Sequence, residues 1–547
     1  MRALALALTA AVGLIILFRE DGPPRPAEVT PTPTAANPTA YLPPQCYART
    51  KRPGASAANP CFTCHQEPRA PNYTADAEVQ RVLSLPAPAT TNPWRNLVSP
   101  PAPVDWDDAR TLARVRQSNY FDARGAPVLA TALPASWRGY RPDCAFHFDA
   151  EGFDRDAQGR ATGWRAYAWA PVPGMFWPTN GSAGDAMIRL PREFREDDQG
   201  AERLDLYAIN LAILEAMIRR VDVPLRAVDE ASVGGVDLDG DGQLGVARKV
   251  AFVWPPREGR RFTWVGRAAR LEPTKAGWPV AGLFPVGTEF LHSVRYLDVQ
   301  DGRVVMAARL KELRYMRKGR WFTWGDLQMR AQAEEREKLK SPDRVRTLVG
   351  DGERGVGTGL GWALQGFIED ADGALRPQTT EETAACVGCH GGVGATTDGT
   401  FSFARKLGGA APLDGWYHWG AAGLAGVPEP KRADGQGEYA HWLAQVGGGD
   451  DYRTNPEVQQ RFFDARGALR PDALAALEHD LSTLLVPSPE RALALDRAYL
   501  ALVKAQSFSL GREVVVGGAP HLEAVVEQEA ETGVEVAVTP GWWKDGR

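Results

Sequence analysis

The stretch Glu289-Phe290-Leu291-His292-Ser293-Val294-Arg295-Tyr296-Leu297, followed by the turn Asp301-Gly302 and by Val304 to Tyr315, decides the fold class. Apolar and polar residues largely alternate along both segments, the period-2 pattern of strands, and an Asp-Gly pair between them signals a short hairpin. Alternation recurs at Cys144 to Phe148, Gly163 to Trp169 and Val250 to Trp254, so residues 131–345 read as a β-rich middle domain. One helix interrupts it, Leu204 to Val221, whose Leu206, Ile209, Ile213, Met217 and Val221 form an apolar stripe suited to covering a sheet face. The predicted class is therefore α+β. Helix-and-loop segments at 45–130 and 346–430 flank the strands, and a helical C-terminal region follows at 431–547. That region carries helices at 471–486 and 488–506, separated by Pro487, which cannot donate within a helix. A charged helix is expected near 326–346. The Asp-Ala-Asp-Gly-Ala-Leu-Arg-Pro of 370–377 is echoed by Asp-Ala-Arg-Gly-Ala-Leu-Arg-Pro at 464–471, which reads as one turn chemistry used twice.

Toward the N-terminus, Arg2 precedes a largely apolar run from Ala3 to Phe18 and then Arg19-Glu20-Asp21, so residues 1–21 read as a signal peptide or signal anchor. No Ala-x-Ala cleavage site follows closely, which favours retention as a membrane anchor. Residues 22–44, rich in Pro and Thr, read as an extended linker. The 547 residues carry 63 Lys plus Arg against 68 Asp plus Glu, a net charge of −5, so no basic face points to nucleic acid. The expected location is periplasmic or otherwise extracytoplasmic, anchored to the cytoplasmic membrane.

Two pentapeptides carry the chemistry: Cys61-Phe62-Thr63-Cys64-His65 and Cys386-Val387-Gly388-Cys389-His390. With 6 cysteines and 8 histidines in the chain, about 0.001 such matches would arise by chance. Two thiols one helical turn apart can each add to a vinyl group of a haem, and the adjacent histidine then meets the iron. Two other readings stay open: four thiolates in a zinc cage, or a redox dithiol. Against both stand the histidine directly after each pair, the lack of a preceding βαβ strand, and the export signal.

Both segments resemble the haem-attachment site of the cytochrome c family, in a form with two haems. The resemblance covers about a fifth of the chain and leaves the middle region unmatched. It implies thioethers at Cys61, Cys64, Cys386 and Cys389, proximal iron ligands at His65 and His390, and two covalently bound haem c groups. It also implies attachment by haem-attachment machinery outside the cytoplasm, with redox proteins or quinol-linked donors as partners. Bacterial diheme peroxidases typically carry their two motifs closer together than the 325 residues (386 − 61) found here.

A sixth ligand decides between pure electron transfer and chemistry at an open iron. His292, on a strand face with Phe290, Val294 and Tyr296, is one candidate; His418, in Trp416-Tyr417-His418-Trp419, is the other. His147 and His479 sit on polar faces, His441 and His521 are unranked, and Met175 is a possible thioether ligand in a loop. Asp237, Asp239, Asp241 and Gln243 match the opening positions of a calcium loop, but position 12 is Arg248, so a carboxylate from elsewhere would have to complete it. Cys46 and Cys144 remain, and an oxidising compartment favours their pairing. The expected function is electron transfer by an exported diheme cytochrome, with a diheme peroxidase- or oxygenase-like enzyme as alternative and no catalytic residue assigned.

Overall fold

The computed structural model describes residues 37–48, 61–175, 177–254, 262–271, 279–408, 412–432, 434–446, 455–517, 521–532, 534 and 537. The expected signal segment and the linker up to residue 36 lie outside these residues. Among the described residues no helix is long and apolar enough to cross a membrane.

A nine-stranded antiparallel sheet forms the centre of a mixed helix and sheet fold. Its strands run in the spatial order Phe153–Arg155, Ala161–Tyr167, Ala186–Arg189, Glu289–Gln300, Arg303–Lys318, Trp362–Glu369, Gly355–Gly357 and Gly350–Asp351, with Leu375–Pro377 beside Trp362–Glu369. The sheet thus continues past residue 345, where the sequence suggested a boundary. Trp362–Glu369 pairs with Arg303–Lys318 from Trp362↔Lys318 to Ile368↔Glu312, so the second motif follows directly from the sheet.

Because strand side chains alternate, the sheet has two chemically distinct faces. One buries Met187, Leu291, Leu313, Tyr315 and Phe367 with Trp137, Tyr140 and Trp164. The other presents Ile188, Phe290, Met316 and Leu364 to the Leu204–Arg219 helix and its surroundings. That helix is buried on nearly every side rather than along one stripe, because the ribbon Val223–Asp229/Val246–Val250 and the Gly266–Arg270 turn cover its outer face. The Trp324–Lys340 helix is solvated as expected, and a reciprocal Thr323/Asp326 cap fixes its start. C-terminal helices form at Pro471–His479, Ser482–Leu485 and Pro489–Ala505.

The repeated turn is commoner than the sequence echo suggested. At Asp122, Asp149, Asp156, Asp197, Asp370 and Asp464 the carboxylate accepts from the backbone N–H groups two and four residues on. The glycine three residues on has a positive φ in every case, a backbone state that disfavours other residues.

Two expectations are corrected. The proline-rich linker does not extend to residue 44: Asn37, Thr39 and Ala40 are buried, and Tyr41 to Pro43 press on Gly388 of the second motif. Cys46 and Cys144 are not bonded to each other. Cys144 sits among aromatic rings on one sheet face with Tyr120 donating to its carbonyl at 2.8 Å, whereas Cys46 packs in the cluster that holds Cys61.

Asp496 on the Pro489–Ala505 helix is fully buried; one oxygen accepts from Leu297 N at 3.3 Å and the other has no partner. Burial, only partly offset by Lys311, pushes its carboxyl up to about 8. Such an acid costs stability as pH rises from about 4, where the unfolded residue ionises, to about 8. Asp496→Asn is therefore expected to melt above the wild type at pH 8, with the difference vanishing near pH 4, measured by thermal unfolding across that range.

Candidate functional site

The second motif ends a helix, Thr380–His390, whose first turn is fixed by a reciprocal cap between Thr379 and Glu382. Arg376 holds Glu382 with two bonds of 2.8 and 2.9 Å. Residues three and four apart share a helix face, so Cys386, Cys389 and His390 point the same way. They line a cavity of about 310 Å³ between this helix and the sheet. The opposite wall is the strand face bearing Phe290, His292, Arg314 and Met316, and Trp169, Met175, Trp177 and Phe401 narrow the space between.

His292 and His390 each present a ring nitrogen without a hydrogen-bond partner among the described residues. The His390 Nδ1 donates to the Gly399 carbonyl at 3.0 Å; since a carbonyl only accepts, the proton lies on Nδ1 and the Nε2 lone pair stays free. His292 is wedged between Trp169 and Trp177, with ring centroids at 5.0 and 5.1 Å, and its buried Nε2 has no hydrogen-bond partner. Burial first, then the Arg314 charge, pushes His292 down to about 3, and burial lowers His390 as well. Both rings are thus neutral at pH 7, the form that binds iron or zinc. An orphaned ring nitrogen in an aromatic cavity that also holds two thiols and a second histidine fits a haem.

Arginines supply the cavity's charge. Arg314, the cross-strand partner of His292, and Arg512 converge on Glu312, at 3.0 and 2.7 Å. Gln378 donates to the same carboxylate at 3.0 Å, and Arg512 also donates to the Glu382 carbonyl. Arg405 lines the cavity too and pairs with Glu438 at 2.6 Å. Burial would raise Glu312, but the two guanidiniums outweigh it and hold the carboxyl down to about 2.

The first motif lies beside the second. It forms a short helix, Cys61–Cys64, with His65 N bonded to the Cys61 carbonyl at 2.9 Å. His65 Nδ1 donates to Asp76 at 3.0 Å, and Gln80 donates to the His65 carbonyl at 2.6 Å. The loop after His390 grips this motif: Gly394 N donates to Asp76, Ala395 N to the Cys64 carbonyl at 2.9 Å, and Asn72 Nδ2 to the Val393 carbonyl at 3.0 Å. Burial and neighbouring thiols raise Cys46, Cys61 and Cys389, with Cys61 pushed up to about 12. The sulfurs do not form a zinc cage. Tetrahedral zinc needs S···S separations of about 3.8 Å, yet among the described residues the Glu230, Asp237 and Asp239 group alone brings three such ligand atoms within 4.8 Å of one another.

The other expected ligands are dispersed. His418 does not reach the cavity: it precedes the Trp419–Ala422 turn, its ring lies 4.8 Å from Phe148, and it faces the buried Asp185. His147 and His479 are exposed. His441 contacts the Phe62 ring at 6.2 Å, and its Nδ1 bonds Gln436 at 3.3 Å. In the acidic loop, Asp237 and Asp239 approach the buried Glu230, a carboxylate from outside the loop, while Asp241 is not part of that group and instead accepts from Gln243 N at 2.7 Å. Glu230 is already committed to Leu238 N and Gly245 N at 2.6 and 2.8 Å, and Asp237 to Gly240 N and Gly242 N at 2.7 and 3.0 Å. Asp76, Gly399, Arg314, Arg405 and Arg512 went unforeseen, since no local motif marks them.

Residues 109–474 match a lipoprotein family. An uncharacterized lipoprotein of Aquifex aeolicus (strain VF5) is 31% identical over 569 residues, spanning 91% of this chain and 90% of the relative. No solved structure matches the chain.

Glu312→Gln leaves two part-buried guanidiniums without their buried anion, and breaking a buried pair in this way typically costs up to about 3–5 kcal/mol. A carboxyl held low stabilises above the unfolded value near 4.5 and loses that contribution as pH falls toward 2. The variant is expected to melt well below the wild type at pH 7, and thermal unfolding from pH 7 down to pH 3 should show the gap narrowing.

Proposed function

The chain belongs to this lipoprotein family, and from that premise we propose that it is an exported, membrane-associated diheme c-type cytochrome that carries electrons outside the cytoplasm. The observation that carries the reading is the partnerless Nε2 of His292 facing a cavity lined by Cys386, Cys389 and His390. In this reading Cys386 and Cys389 would attach the haem, His390 and His292 would offer ring nitrogens to its iron, and Arg314, Arg405 and Arg512 would offer positive charge to its carboxylates. Cys61, Cys64 and His65 would hold a second haem. Haem supplies a one-electron iron couple; the chain holds it out of water and sets its potential.

Residues 1–45 contain no cysteine, and the first, Cys46, packs in the folded body beside the first motif. Attachment to the periplasmic side of the cytoplasmic membrane is assigned to the run Ala3 to Phe18. The partners are haem-attachment machinery during maturation and redox proteins or quinol-linked donors afterwards.

Optical spectra of the protein matured in a haem-attaching host, oxidised and reduced, with and without carbon monoxide, test the reading. Two covalent haems are expected, with the second motif's haem low-spin and indifferent to added ligand. His292→Ala should open that iron, converting about half of the haem signal to a form that binds carbon monoxide, while His418→Ala leaves it unchanged. Wild-type haem that already binds carbon monoxide would favour the alternative, a peroxidase- or oxygenase-like enzyme, and no haem bands at all would refute both.

A further inference from the structure

The two motif histidines are held by acceptors of different charge. His65 donates from Nδ1 to the Asp76 carboxylate at 3.0 Å, and His390 donates from Nδ1 to the neutral Gly399 carbonyl at the same 3.0 Å. Ring atom and distance match, so the charge of the acceptor is what differs. Asp76 is only 6% exposed, so water screens that charge little. A carboxylate drawing on Nδ1–H makes the imidazole a stronger donor through Nε2, and a stronger donor favours the more oxidised metal. The arginines that line the His390 cavity do not alter this comparison, because Arg314 and Arg512 are paired with Glu312 and Arg405 with Glu438.

Building on the diheme reading above, we infer that Asp76 makes the first motif's iron the lower-potential centre, so that an electron entering the pair settles at the second motif beside His390. The step is a single electron transfer. Ferrous iron at His65 is oxidised to ferric, ferric iron at His390 is reduced to ferrous, and no proton or third reactant is consumed. Asp76 also accepts from Gly394 N at 3.0 Å, four residues past His390, so the residue that tunes one centre braces the loop of the other. It is a positioning residue and touches no reacting atom.

The experiment is an optical redox titration of the full-length, haem-loaded protein with Asp76→Asn and Asp76→Glu. Asparagine keeps an oxygen to accept from Gly394 N and His65 but removes the charge, which makes the first motif resemble the second. His292→Ala, by altering the spectrum of the second haem, shows which titration step belongs to it. In the wild type the lower step is expected to belong to the first haem. Asp76→Asn should raise that step by at least a tenfold change in the ferrous-to-ferric ratio, about 59 mV for one electron. The upper step should stay in place, and Asp76→Glu should keep both. A lower step that does not move, two steps that move together, or a lower step belonging to the second haem would overturn the inference while leaving the diheme reading intact. The absence of haem bands would instead remove that reading, and the inference with it.

Discussion

Glu312 is a carboxylate taken out of water between two guanidiniums, and the geometry around the cavity depends on it. Placed alone at that depth the charge would cost several kcal/mol. With Arg314 and Arg512 on either side and Gln378 donating as well, it becomes the point where three parts of the chain meet. Arg314 belongs to the strand opposite His292, Gln378 leads into the helix bearing the second motif, and Arg512 comes from the C-terminal segment and also binds that helix through the Glu382 carbonyl. The strand wall and the helix wall therefore share one anion, which sets their separation.

The class of the fold could be read from the sequence because alternation over 289–315 spans a full hairpin. The register could not. A regular hairpin closed at Asp301-Gly302 pairs Leu297 with Met306, as observed, and would set His292 opposite Lys311. Irregularities at Val294/Arg295 and Arg295/Leu297 displace the pairing so that Arg314 stands there. The displacement is by an odd number of residues, so it exchanges faces: Lys311 is buried near Tyr296 and Tyr499, and Arg314 faces the cavity. Nothing local announces such bulges, which is why Arg314 was not foreseen although His292 was.

The motif residues were legible because the Cys-x-x-Cys-His spacing sets two thiols and a histidine on one helical turn. Their second contacts were not, because Asp76, Gly394 and Gly399 are related to the motifs only through the folded chain. Sequence proximity misled at His418, only 28 residues beyond His390 (418 − 390) but turned toward Asp185 and Phe148 instead. The acidic loop showed its own three aspartates, yet not that the nearest outside carboxylate, Glu230, would be occupied by backbone donors.

The cavity wall is drawn from almost the whole length of the polypeptide, from Pro43 to Glu513. Loop-closure entropy makes contacts between such distant residues slow to form, and none of the local turns and hairpins that fold quickly encloses the space. Arg512 and Glu513 close the wall from the C-terminal segment, so the enclosure of the second thiol pair is complete only with that segment in place.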